Sequence, residues 1–86
     1  MPNTSPLTTM ADQPNPAAEW DAGELGCGEL VLELRLRIRQ LASGDILRLI
    51  AHDPGAPADI PAWCRMTGHP LLHADPATHT YLIQRS

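Results

Sequence analysis

The sequence contains no lysine and no phenylalanine, and its only aromatic residues are two tryptophans and one tyrosine. A core without Phe has to be assembled from Leu, Ile, Val and Ala. With 86 residues to draw on, that means one domain with a small core and modest stability. Long apolar runs are also missing: none approaches the roughly 20 residues needed to cross a bilayer. No cationic start followed by an apolar segment marks a secretory leader. These two absences predict a cytoplasmic protein with no membrane contact. Cysteine is scarce, with two residues and no leader, which argues against a disulfide scaffold. The six basic residues are all arginines and face ten acidic ones, giving a net charge of −4. Arg35, Arg37, Arg39 and Arg48 cluster in sequence, but the acidic balance argues against direct nucleic-acid binding. No phosphate loop, nucleophile elbow or dinucleotide fingerprint is present.

What the chain does contain is unevenly distributed. Residues 1–18 are rich in Pro, Asn, Thr and Ala, with no aromatic residue and no apolar period. Such a segment buries too little surface to offset the entropy of ordering, so a flexible tail is expected, followed by a domain over 19–86. A first strand over Trp20–Leu25 is punctuated by Gly23 and Gly26. The stretch from Leu30 to Leu41 reads two ways. Leu32, Leu34, Leu36 and Ile38 alternate with charged residues, which is a strand pattern. At 3.6 residues per turn, however, Cys27, Leu30, Val31, Leu34, Ile38 and Leu41 form one apolar stripe, and Glu33 precedes Arg37 by one turn. Leu, Glu, Arg and Gln favour a helix, with Gly44 placed to end it. The helical reading leaves Leu32 and Leu36 on the outer face, either exposed or docked against a partner.

Asp45–Ala51 is dense in Ile and Leu and reads as a buried strand. A turn at Asp53–Pro57 leads to a second helix over Ala58–Thr67, with Ile60, Trp63 and Cys64 on one face and Gly68 as its stop. His69–Ala74 reads as a third strand, Asp75-Pro76-Ala77 as a turn, and Thr78–Gln84 as a final strand. The order β-α-β-α-β-β predicts an α/β (α+β) two-layer sandwich. In it, a four-stranded mixed sheet carries two helices on one face.

Cys27 is the residue best placed for chemistry. It sits at the junction of the first strand and first helix, between Gly26 and Gly28. Unpaired N–H groups and the positive dipole end there favour a thiolate, and the glycines leave room for another molecule. Glu29, in the first turn, suits the dipole but opposes ionisation of the thiol. The competing reading is a small buried apolar residue. Cys64, mid-helix beside Trp63, fits core packing better than chemistry. His52, His69, His73 and His79, even with Cys64, lack the spacing of a metal site, so neither a metal nor a cofactor is expected. Asp53 and Asp59 fit turn and first-turn positions of the second helix.

The run Asp21-Ala-Gly-Glu-Leu-Gly-Cys27 resembles the opening of the TusA family of sulfur carriers, where an Asp and a Gly precede a Cys at a helix start. Gly44-Asp45-Ile-Leu resembles the family's second strand. Asp53-Pro54, Asp59-Ile60-Pro-Ala-Trp-Cys64 and Gly68-His69 match a further segment in order, and Tyr81–Arg85 is similar to the closing strand. The resemblance spans residues 20–85. It implies a sulfur carrier or sulfurtransferase holding a persulfide on Cys27, with Gly26, Gly28 and Glu29 shaping the site. It also implies a donor such as a cysteine desulfurase or rhodanese-like protein, a protein acceptor, and action as a monomer or weak dimer. One departure stands out: Cys27-Gly28-Glu29-Leu30 replaces the family's Cys-Pro-x-Pro. The alternative function on the same fold is a non-catalytic interaction or redox-regulatory module.

Overall fold

The computed structural model, which describes residues 16–86, settles the ambiguous segment as helix. Helix α1 runs Cys27–Arg39. Leu30, Leu34 and Ile38 along its inner stripe are at most 1% exposed, while Leu32 and Leu36 on its outer face are 58% and 45% exposed. A strand would have put Leu32, Leu34, Leu36 and Ile38 on one face. The helix separates them, and the fold buries only the stripe. Each fully buried Leu or Ile contributes about 1.5–3 kcal/mol of transfer free energy, which the helix realises for its inner stripe. Arg37 donates to Glu33 across one turn at 3.1 Å, and its guanidinium lies 4.4 Å over the ring of Trp20 on the neighbouring strand.

That strand, β1 (Ala18–Gly23), pairs parallel with β2 (Ile46–Ala51), so the chain crosses back over the sheet through α1. Helix α2 (Ala56–Thr67) follows, then β3 (Leu71–Asp75), a one-turn 3-10 segment (Pro76–Thr78) and β4 (Thr80–Gln84). Strand β4 inserts between β2 and β3, antiparallel to both, giving the order β1-β2-β4-β3. Alternate residues of the two central strands, Leu47, Leu49, Ala51, Tyr81 and Ile83, join the α1 stripe and Ala56, Ile60, Trp63 and Cys64 of α2 in one buried cluster. Both helices therefore cover the same face of a mixed four-stranded sheet, as the sequence pattern predicts.

Several boundaries differ from those expectations for local reasons. Strand β1 starts at Ala18 and stops at Gly23 rather than Leu25, because Gly23 has a positive φ of 59° and its N–H is clasped by Asp21 at 2.9 Å. Ala17 already donates to the Ile46 carbonyl, so the order extends into the last residues assigned to the tail. The rest of that expected tail, residues 1–15, lies outside the described residues. Gly44 does not end α1. The helix closes at Gln40, whose N–H and that of Leu41 turn to i−3 carbonyls, and Arg85 from the end of the chain donates to the Arg39 and Leu41 carbonyls. Gly44 (φ 90°) instead serves the turn into β2. Helix α2 begins two residues early because Asp53 accepts from the N–H of Gly55 at 3.0 Å and shapes the entry. Pro70 delays β3, and the 3-10 turn, in which Asp75 accepts from Ala77, delays β4.

Candidate functional site

The end of β1 and the start of α1 are joined by three residues, and their backbone is tightly held. Leu25 donates to Ala22 at 3.1 Å, and His52, just past β2, donates to the Gly23 carbonyl at 3.0 Å. This fixes the approach to Cys27, which is the first residue of α1 and is described through its backbone. Gly26 is the N-cap, in extended conformation (φ −80°, ψ 169°), and no side chain caps the helix there. The first intrahelical bond runs from Leu30 to Gly26 at 2.7 Å. The N–H groups of Cys27, Gly28 and Glu29 precede it and have no intrahelical carbonyl partner. Together with the dipole they form a local positive end suited to a thiolate or other anion.

Neither flanking glycine is demanded by crowding. A Cβ built on Gly26 or on Gly28 meets nothing within 4 Å. Both have negative φ, so no left-handed backbone calls for glycine either. The space is open toward solvent and would admit another molecule. Glu29 is exposed in the first turn, where it complements the dipole. The structure thus brings Gly26, Cys27, Gly28 and Glu29 together at one helix start at the end of the sheet.

Cys64 stands apart. It is the ninth residue of α2, some 12 Å along the axis from that helix's start at 1.5 Å per residue. It is 4% exposed in the core cluster, and burial raises its thiol pKa from 9.0 to about 11. A thiol so buried and so weakly acidic is packing, as the sequence suggests.

The histidines divide. His73 lies exposed on β3, and His69 packs against Trp63 at the far end of the sheet. His52 and His79 stack at 4.4 Å between ring centroids, at the same end as the start of α1. Spacing along the sequence does not reveal this pair. Its signal is that one follows β2 and the other precedes β4, which are antiparallel neighbours. Among the described residues no three His, Cys, Asp or Glu side chains converge as a metal site. The arginines disperse as well. Arg37 and Arg48 are paired with Glu33 and Glu19, and Arg48 projects from the sheet rather than from α1.

The chain is similar to several known proteins. The family model described as "Sulfurtransferase TusA" matches residues 18–85. The chain is 43% identical over 67 residues to the sulfur carrier protein TusA of Pseudomonas putida (strain W619), covering 78% of this chain and 84% of that protein. Its identity to the sulfur carrier protein TusA of Pseudomonas entomophila (strain L48) is 43% over 65 residues, covering 76% and 81%. To the protein of the same name from Pseudomonas aeruginosa (strain LESB58) it is 42% identical over 62 residues, covering 72% and 78%.

Proposed function

This chain belongs to the TusA family of sulfurtransferases, and on that premise we propose that its sulfur is carried as a persulfide on Cys27. The protein is a sulfur carrier, a role that implies partners on both sides of a relay. In the loading step the Cys27 thiolate attacks the terminal sulfur of a donor persulfide. One S–S bond breaks, one forms, and the donor leaves as a thiolate, so no external oxidant or reductant is needed. In delivery the acceptor's thiolate attacks the terminal sulfur on Cys27, which leaves as a thiolate in its turn. A cysteine desulfurase or a rhodanese-like protein fits the donor role, and a protein thiol fits the acceptor.

The observation that carries this reading is the uncapped start of α1. Its first-turn N–H groups favour the anionic form that both steps require, at the attack on the donor and at the departure from Cys27. Gly26 and Gly28 leave open space on either side of the residue for a partner to approach. Glu29 lies exposed in the same turn, where its charge complements the helix dipole.

Incubation with a cysteine desulfurase and cysteine, or with a rhodanese and thiosulfate, is expected to add one sulfur atom, read by intact-mass spectrometry. The added mass disappears on reduction and does not form in Cys27→Ser. If Cys27→Ser loads as well as the native chain, the assignment of the sulfur to this residue is wrong.

A further inference from the structure

At the opposite end of the sheet from Cys27, the last turns of α2 and the first residues of β3 line an open depression with a cavity volume of about 320 Å³. The topology fixes the separation: β3 runs in the same direction as β1, so it starts at the end where β1 starts, whereas Cys27 follows the end of β1. Gly68 caps α2 in a left-handed conformation (φ 84°). This turn folds His69, Pro70 and Leu71 back beside Pro61, Cys64 and Arg65, which complete the wall.

The lining combines apolar walls with donors. Pro61, Pro70 and Leu71 are apolar, and the Cys64 thiol is neutral. The lining side chains include no carboxylate. Arg65 lies in the last turn of α2 and has no carboxylate partner among the described residues. The His69 ring is held from two sides. It stacks on Trp63 at 5.4 Å, and its Nδ1 accepts from the Ser86 N–H at 3.1 Å. A ring that accepts at Nδ1 carries its proton on Nε2, which makes Nε2 a donor. Burial, with the nearby Arg85 adding to it, lowers the His69 pKa and keeps this neutral form dominant. The C-terminal pole of α2 brings roughly half a negative charge to the same place. The Arg65 guanidinium, which lines the depression, opposes it with a full positive charge.

We propose that this cavity is a second binding site, one that takes a small organic monocarboxylate. The carboxylate pairs with the Arg65 guanidinium and accepts from His69 Nε2, and the apolar body lies against Pro61, Pro70 and Leu71. The site is independent of the sulfur on Cys27 and stands or falls separately from it.

The test titrates the ¹⁵N-labelled full chain with phenylacetate and, in parallel, with 2-phenylethanol, a neutral molecule of similar shape. Phenylacetate is expected to give saturable amide shifts at Gly68, His69 and Leu71, and the alcohol is expected to bind at least roughly tenfold more weakly. Arg65→Gln, at an exposed position that leaves the core intact, is expected to weaken phenylacetate about tenfold. Cys27→Ser is expected to bind it unchanged. Absence of saturable shifts at those three amides overturns the proposal. So does equal affinity for the alcohol, or undiminished binding by Arg65→Gln.

Discussion

The two cysteines are expected to differ sharply in reactivity, and the difference can be worked out for Cys64. At pH 7.5 an ordinary thiol of pKa 9.0 is about 3% ionised, whereas one at about 11 is ionised to about 0.03%, a hundredfold less. A more basic thiolate is a better nucleophile, with a Brønsted coefficient of about 0.4–0.5, which restores roughly six- to tenfold. Ionisation alone therefore makes Cys64 about 10- to 15-fold slower than a small free thiol, and its 4% exposure adds the cost of opening the core before a reagent can reach it. Alkylation with iodoacetamide at pH 7.5, quenched over time and read by peptide mass spectrometry, is expected to modify Cys64 at least tenfold more slowly than glutathione in the same tube. Cys27, at the uncapped start of α1, is expected to react first and faster than glutathione. Cys64 labelling within twofold of glutathione would refute the reasoning, because it would mean that the buried thiol is neither desolvated nor closed off.

The same thiol predicts a loss of stability in alkali. Its pKa is higher in the folded chain than in the unfolded one, so its contribution is intact below about pH 9 and is lost as pH rises from 9 toward 11. The stability gap between the native chain and Cys64→Ala, from urea denaturation, is expected to shrink by about 1.4 kcal/mol between pH 7.5 and 10. A constant gap refutes it. On α1, Leu34→Ala is expected to cost about 3 kcal/mol in the same assay and Leu32→Ala less than about 0.5 kcal/mol, since Leu34 is fully buried and Leu32 is 58% exposed. Comparable losses at the two positions would show that the outer face of α1 is packed. Gly28→Pro is expected to keep the fold and raise stability by about 0.4–1 kcal/mol, because α2 in this chain already carries a proline, Pro57, within its first two positions. A lowered melting temperature would show that the backbone before Gly28 does not accept the constraint.

Much of this architecture is legible in the sequence because helix and strand periods make different demands on the same residues. Leu30, Leu34 and Ile38 mark the inner stripe of α1 although every second residue from Leu32 to Ile38 also fits a strand, and Glu33 with Arg37 supports the helical spacing. Ends are less legible because long-range partners set them. Gly44 is a sound helix stop on local grounds, yet Arg85, forty-six residues beyond Arg39, takes the last carbonyls and α1 closes earlier. Asp75 turns the chain through Ala77 into a 3-10 segment that strand propensity does not anticipate. That Gly26, Cys27 and Gly28 fall at the start of α1 is readable from the strand and helix pattern. The His52–His79 stack and the cavity at the end of α2 are not, because each depends on which strands become neighbours and where Gly68 turns the chain.

The glycines beside Cys27 bear on what replaces the family's Cys-Pro-x-Pro. Proline after the cysteine fixes the first turn and removes a donor. Glycine restores the donor and relaxes the turn, at a cost of up to about 1 kcal/mol relative to alanine in a helix. Glycines retained at such a cost usually answer to a positive φ or to a close neighbour. Neither applies here: Gly28 has an ordinary φ, and a side chain there would point into open space. The described residues therefore gain nothing in stability from it. Its physical consequences are an added N–H in the first turn and a bare surface beside the residue proposed to carry sulfur. Both lie outside the packing of the fold, so on the proposed function this chain's departure from Cys-Pro-x-Pro bears on the encounter with a partner rather than on stability.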